Sequence, residues 1–139
     1  MDSLDMAGHL IRRLHQQSTQ VFTQRIQAAG FDLTPIQFAA LDAIHARPGI
    51  DQASVAEMIA YDRATIGGVV DRLELKGWVR RVVSERDRRA RELSLTSEGE
   101  QVLAAVLPLV RDLQSDILGL LGAADRARFL KLARQALAV

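Results

Sequence analysis

No cysteine occurs among the 139 residues. That absence removes disulfides, thiol nucleophiles, thiol redox sensing and thiolate metal sites in one step. No apolar run is long enough to cross a membrane. Asp2 and Asp5 stand where a secretory leader would carry a basic segment ahead of an apolar one, so no leader is expected and a cytoplasmic location fits. No nucleophile sits beside a base, no Gly-rich phosphate loop follows a strand, and no H-E-x-x-H occurs, so no enzyme is expected. Histidine is sparse. His9 and His15 fall on different faces of a helix, and no nearby His, Cys or Glu cluster assists them or His45, so neither a metal nor another cofactor is expected.

An excess of either charge is lacking too. The formal net charge is +1, which alone says little about an acidic partner; the distribution decides. Residues 79–93 hold six arginines (Arg80, Arg81, Arg86, Arg88, Arg89, Arg91) against three acids (Glu85, Asp87, Glu92), and no other stretch of that length is similar. The rest of the composition, 48% hydrophobic and 25% charged, is that of a globular chain long enough for one domain with a real core.

The pattern reads as helices broken by one β-hairpin. A first helix is predicted over residues 4–29, with Leu4, Ile11, Leu14, Val21, Phe22 and Ile26 near helical spacing and Gly30 as the stop. Thr34-Pro35-Ile36-Gln37 is a capping box with proline at the first helical position, and that helix runs to about Ala46, before Pro48-Gly49. Asp51 caps a short helix through Ile59; Asp62 caps another through about Lys76, closed by Gly77. In the latter Ile66, Val69, Val70 and Leu73 share a face, which makes that face core and turns polar residues outward. Two helices joined by the short Ala60-Tyr61 link are the outline of a helix-turn-helix. Residues 78–83 and 91–95 then read as strands around the polar run Ser84-Glu85-Arg86-Asp87-Arg88-Arg89. Thr96 or Ser97 caps a long helix over 98–121, with Pro108 inside it and a kink expected there. Gly122 separates it from a last helix over 123–137.

The fold class is therefore mainly α with a small β-hairpin wing. Residues 34–96 form a winged helix-turn-helix, flanked within a single domain (1–139) by N- and C-terminal dimerisation helices (1–30 and 98–139). Leu103, Val106, Leu107, Val110, Leu113, Ile117, Leu120 and Leu121 make a wide apolar stripe. It fits an internal bundle or an interface between copies. A two-fold reader of paired half-sites needs the interface, so a homodimer is expected.

In a helix-turn-helix the N-terminal residues of the second helix reach base edges in the major groove. Here they are Asp62, Arg63, Ala64 and Thr65. Arg63 can bond a guanine or a phosphate, Thr65 a base or a thymine methyl, and Arg72, farther along, suits a phosphate. Gly67 and Gly68 in mid-helix cost about 2 kcal/mol against alanine. Gly68, facing the groove, would let the backbone approach DNA closely; a tight contact with a neighbouring helix is the alternative. Gly67 has no account from sequence. The tip arginines Arg86, Arg88 and Arg89 suit the negative potential of a narrow minor groove, and Asp87 can pair with Arg89 to fix its direction. A solvated charged loop is the alternative, but the adjoining helix-turn-helix favours DNA contact. Double-stranded DNA is the expected partner and a membrane is not.

These same residues carry a resemblance. Asp62-Arg63-Ala64-Thr65, Val70-Asp71-Arg72-Leu73-Glu74-Leu75-Lys76-Gly77-Trp78-Val79-Arg80-Arg81, Ser84-Glu85-Arg86-Asp87-Arg88-Arg89-Ala90-Arg91 and Leu95-Thr96-Ser97-Glu98-Gly99 are similar to the multiple-antibiotic-resistance regulator (MarR) family, with its D-R-L-E-x-K-G, D-x-R wing and L-T-x-x-G pattern. The resemblance implies a triangular homodimer on a pseudo-palindromic operator. It also implies repression relieved by a small molecule held between the dimerisation helices and the DNA-reading lobe, and Arg89 as the wing arginine oriented by Asp87. Base contacts do not carry over at Gly68, where many relatives have a longer side chain. The lack of cysteine excludes the oxidant-sensing mode of some relatives.

His9, Arg12, Arg13 and Gln16 share one face of the first helix, and arginine suits a carboxylate because it can bond both oxygens. With Ile36 and Phe38 as an apolar wall, these residues are similar to those of family members that respond to aromatic carboxylates from catabolic pathways, and the resemblance implies a small aromatic carboxylate as effector of a catabolic or resistance operon. Dimer salt bridges or solvent contacts are the alternative. A constitutive DNA-binding regulator without effector, and a winged-helix protein-interaction module, are the competing functions.

Overall fold

The computed structural model describes residues 2–139; Met1, first residue of the expected N-terminal dimerisation segment, lies outside the described residues. A 3₁₀ turn (Asp2–Asp5) precedes α1 (Ala7–Ala28), α2 (Pro35–Ala46), β1 (Ile50–Asp51), α3 (Gln52–Met58), α4 (Ile66–Leu75), β2 (Val79–Val83), β3 (Arg91–Leu95), α5 (Ser97–Ile117) and α6 (Ala123–Leu137). The helix predicted over 4–29 is thus divided at Met6, whose extended backbone (φ −81°, ψ 143°) separates the 3₁₀ turn from α1.

Local chemistry sets most boundaries. Thr34 Oγ1 accepts from the Gln37 N–H and Gln37 Oε1 from the Thr34 N–H, each at 3.2 Å, the reciprocal capping box that starts α2. Asp51 caps α3, accepting from the backbone N–H and the hydroxyl of Ser54, both at 2.8 Å. The Ser54 hydroxyl, then its N–H, hold the Asp51 carboxyl below its ordinary 3.8. Because the folded value is the lower one, this contribution is present above pH 3.8 and is lost as pH falls through the folded value. Asp51→Ala is expected to cost about 1 kcal/mol at neutral pH, and urea titrations should find that difference shrinking in acid.

The sheet has order β1-β3-β2, all antiparallel. The hairpin has the predicted second strand and a first strand that begins at Val79 rather than Trp78, registered from Val79 opposite Leu95 to Val83 opposite Arg91. The third strand, Ile50–Asp51, was not predicted, because two residues carry no alternating pattern; it pairs Ile50 with Leu93 and Asp51 with Glu92. The α5 helix ends at Ile117 rather than at residue 121: Leu118 leaves helical geometry (ψ 36°) ahead of Gly119. Pro108 lies within the continuous helix.

Ile26, Leu41, Ile44, Ile66, Leu73, Leu93 and Leu113 are fully buried, so one core joins α1, α2, α4, β3 and α5. Half of the predicted apolar stripe over 103–121 serves this internal core. Leu103, Val106, Val110 and Leu113 are buried within the protomer, where α5 lies along α1. Arg25 of α1 bonds Asp112 and Asp116 of α5 there. Exposed apolar residues include Leu4, Met6, Leu10 and Ile11 at the start of the chain, Leu120 of the stripe, and Leu130, Leu132 and Leu137 on α6, which buries no residue of its own; Met58, Leu75, Val82 and Val83 are exposed from α3 to β2.

Candidate nucleic-acid interface

The α3–α4 connection positions the first reader. Ala60 takes a left-handed conformation (φ 55°) and turns the chain between the helices. Asp62 does not cap α4 as predicted; the helix begins at Ile66. The Asp62 carboxylate instead accepts from the Ala64 N–H at 3.2 Å, and its backbone carbonyl accepts from the N–H groups of both Thr65 and Ile66 at 3.1 Å. With Gly67 and Gly68 following, helix propagation at this end is intrinsically weak. Arg63, Ala64 and Thr65 therefore sit on an exposed turn leading into the helix. The Thr65 hydroxyl donates to the Asp62 carbonyl at 3.2 Å, leaving its acceptor lone pairs outward. Ile66, Val69, Val70 and Leu73 are buried, which turns Gly68, Asp71 and Arg72 to the surface.

The two glycines have different reasons. A Cβ at Gly67 would meet Gln52 Nε2 at 3.3 Å, a tight contact with the start of α3; one at Gly68 would meet nothing within 4 Å. The protomer thus gives no packing reason for Gly68. Gly68→Ala is expected to stabilise the fold by about 0.5–1 kcal/mol through helix propensity while weakening DNA binding. Denaturant titration and gel shift on the same samples check both signs.

The wing is the second reader. Buried Ser84, which sequence reasoning passed over, organises its tip: Ser84 Oγ accepts from the N–H groups of Arg86 (3.2 Å) and Asp87 (3.3 Å). The Ser84 N–H donates to the Ala90 carbonyl at 3.1 Å, closing the turn. A hydroxyl three residues before an aspartate was the available signal. Asp87 Oδ1 accepts from Arg89 twice, from its N–H at 3.0 Å and from Nε at 3.3 Å, while the Arg89 side chain stays 92% exposed. Its direction is fixed and its outer nitrogens are free. Arg86 and Arg88 are exposed, and neither they nor Arg63 and Arg72 pair with a carboxylate among the described residues.

The readers face each other. An open cleft of about 660 Å³ has Arg63 and Ile66 on one side, Asp87, Arg89 and Arg91 on the other, and Asp51 and Gln52 at the start of α3 between them. Arg81, counted with the wing arginines, is not available to DNA. Its guanidinium donates to Asp71 (2.5 Å) and Glu74 (3.2 Å) of α4 and to Gln52 (3.2 Å) of α3. The Asp71 hydrogen bond raises its pKa above the ordinary arginine value against the opposing effect of burial.

His9, Arg12, Arg13 and Gln16 border one open hollow of about 330 Å³ on α1. Ile36 and Phe38 do not join it within the protomer. Ile36 lines a separate groove with Tyr61, Thr65, Gly68, Val69 and Arg72. The half-buried Phe38 packs on Phe22 with ring centroids 6.2 Å apart, because the apolar face of α2 turns to α1 and the core. His45 bonds Glu100 of α5 at 2.7 Å.

The profile of the MarR family matches residues 31–90. The transcriptional regulator HosA of Escherichia coli O127:H6 is 36% identical over 93% of this chain and 93% of its own. The solved PcaV transcriptional regulator of Streptomyces coelicolor, in complex with its natural ligand, superposes with a TM-score of 0.87 at 32% identity, over 100% of this chain and 96% of that one. BpsR of Bordetella bronchiseptica, whose DNA binding is regulated by 6-hydroxynicotinic acid, gives a TM-score of 0.86 at 27% identity, over 98% and 96%.

Proposed function

The chain belongs to the MarR family of transcriptional regulators, and on that premise we propose that it is a homodimeric repressor of a catabolic or resistance operon, released from a pseudo-palindromic operator by a small aromatic acid. It is a winged-helix DNA-binding regulator and not an enzyme. The observation that carries the proposal is the facing pair of exposed cations: Arg63, without a carboxylate partner among the described residues, at the entry to the recognition helix, and Arg89, held outward by its pair with Asp87. Arg63, Ala64 and Thr65 reach base edges, Gly68 allows close approach, and Arg72 holds phosphate. Arg86, Arg88 and Arg89 enter or flank the minor groove.

Pairing of copies is supported by α6, which buries nothing in the protomer, and by Leu10, Ile11, Leu130 and Leu137, exposed by 50%, 64%, 46% and 72%. A contiguous apolar patch built from these residues would call for a partner to cover it. The effector reading rests on Arg12, Arg13, His9 and Gln16 around one hollow and on the relative regulated by 6-hydroxynicotinic acid, an aromatic carboxylic acid. In the dimer a second copy would supply the wall that a single protomer leaves open; Ile36 and Phe38 are the candidates for it.

A gel shift with the region upstream of its own reading frame tests the function, followed by a thermal-shift screen of aromatic acids. The expected result is a shifted band that weakens steeply with salt as phosphate contacts release counterions, and that disappears with an acid that also raises Tm. A band indifferent to every stabilising acid would leave a constitutive regulator.

A further inference from the structure

We propose that Arg81 is the positioning residue of the wing: its guanidinium, bonded to Asp71 and Glu74 of α4 and to Gln52 of α3, fixes the angle between the wing tip and the recognition helix. This rests on the DNA-reading function proposed above. Arg81 sits at the middle of β2, opposite Leu93, on the strand that leads into the tip. Asp71 and Glu74 are neighbours on one face of α4, so a planar fork bonded to both reports the orientation of that helix to the strand. Only 22% of the Arg81 side chain is exposed, so water screens these pairs less than it does a surface pair.

The third partner explains Gly67. Gln52 Oε1 accepts from Arg81 at 3.2 Å, and Gln52 Nε2 lies where a side chain at position 67 would press on it at 3.3 Å. A glycine there lets the amide rest against α4 while still reaching the wing. Gln52 also lines the cleft between Arg63 and Arg89. The network thus stands behind both readers and ties together the elements whose relative placement decides whether both reach DNA at once.

A second role for the same atoms is simple neutralisation of Asp71 and Glu74, which would otherwise repel phosphate. The two roles separate in a double-mutant cycle on a duplex selected from a random-sequence pool. Positioning predicts that Arg89→Ala weakens binding about tenfold or more in the parent but less than about twofold in an Arg81→Met background, whereas Arg63→Ala keeps its full effect in both. An equal effect of Arg89→Ala in both backgrounds overturns the proposal and leaves the DNA-reading function standing. Loss of both effects together marks a general structural fault and also overturns it. No effect of Arg89→Ala in the parent overturns proposal and function alike. Should Arg81→Met not fold, Asp71→Asn with Glu74→Gln keeps Arg81 and removes its charged acceptors. Run through the same cycle, that pair supports or overturns the proposal by the same outcomes.

Discussion

Gly99→Ala is expected to cost about 3 kcal/mol or more, lowering Tm by roughly 10 °C or preventing folding, although it adds a single methyl group. A Cβ at position 99 would lie 2.0 Å from the carbonyl oxygen of Trp78, with the Trp78 carbonyl carbon at 2.9 Å. That neighbour is backbone and cannot swing aside. It is also tied down: the Thr96 N–H donates to the Trp78 carbonyl at 3.0 Å, and the Thr96 hydroxyl donates to the Gly77 carbonyl at 2.6 Å while accepting from the Gly99 N–H at 3.0 Å. The L-T-x-x-G run is therefore a joint. Its threonine caps α5 and clasps the start of the wing, and its glycine lets the first turn of the helix seat on the strand entry. Equilibrium unfolding in urea measures the loss. Gly68→Ala serves as the control, since the same methyl in open space is expected to stabilise.

The largest functional effect is expected from Arg89→Ala: a fall in DNA affinity of about tenfold to a hundredfold with Tm unchanged. A side chain 92% exposed and bonded only to the neighbouring Asp87 contributes little to the fold. Asp87→Ala sharpens the test because two effects oppose. Removing an acid beside DNA relieves repulsion with phosphate and should tighten binding if Asp87 is only a loop carboxylate. If Asp87 aims Arg89 through the N–H and Nε bonds, its loss weakens binding, and that is the sign expected. Fluorescence anisotropy at several salt concentrations separates the two effects, since the repulsion fades with salt.

How much was legible in the sequence follows from the range of the interactions. The Thr34–Gln37 capping box, the Asp51 cap, the hairpin strands and the start of α6 at Ala123 are all decided within a few residues, and all appear where local chemistry puts them. The Asp87–Arg89 pair is likewise local. Contacts that join distant segments were not legible. Arg81 looked like one more wing cation, because Asp71 and Gln52 reach it only after α3, α4 and the hairpin assemble. Gly67 had no explanation until Gln52 was found beside it. The start of α4 was misread because an aspartate before a helix-like pattern serves a cap and an isolated turn equally well; Asp62 makes the turn. The apolar stripe over 103–121 was legible only in part, for another reason. Helical periodicity marks an apolar face but not what covers it: Leu103, Val106, Val110 and Leu113 face the protomer's own core, while Leu120 is exposed.

The central claim is that two copies present a recognition-helix entry at Arg63 and a wing tip at Arg89 to the same duplex. Selection of binding sites from a random-sequence pool, followed by footprinting at single-nucleotide resolution, tests it most directly. The account predicts an inverted repeat whose half-site centres lie about 10 base pairs or a multiple of the helical turn apart, with minor-groove protection outside each half-site that vanishes in Arg89→Ala. Enrichment of a single unrepeated site, or of no sequence at all, would contradict it.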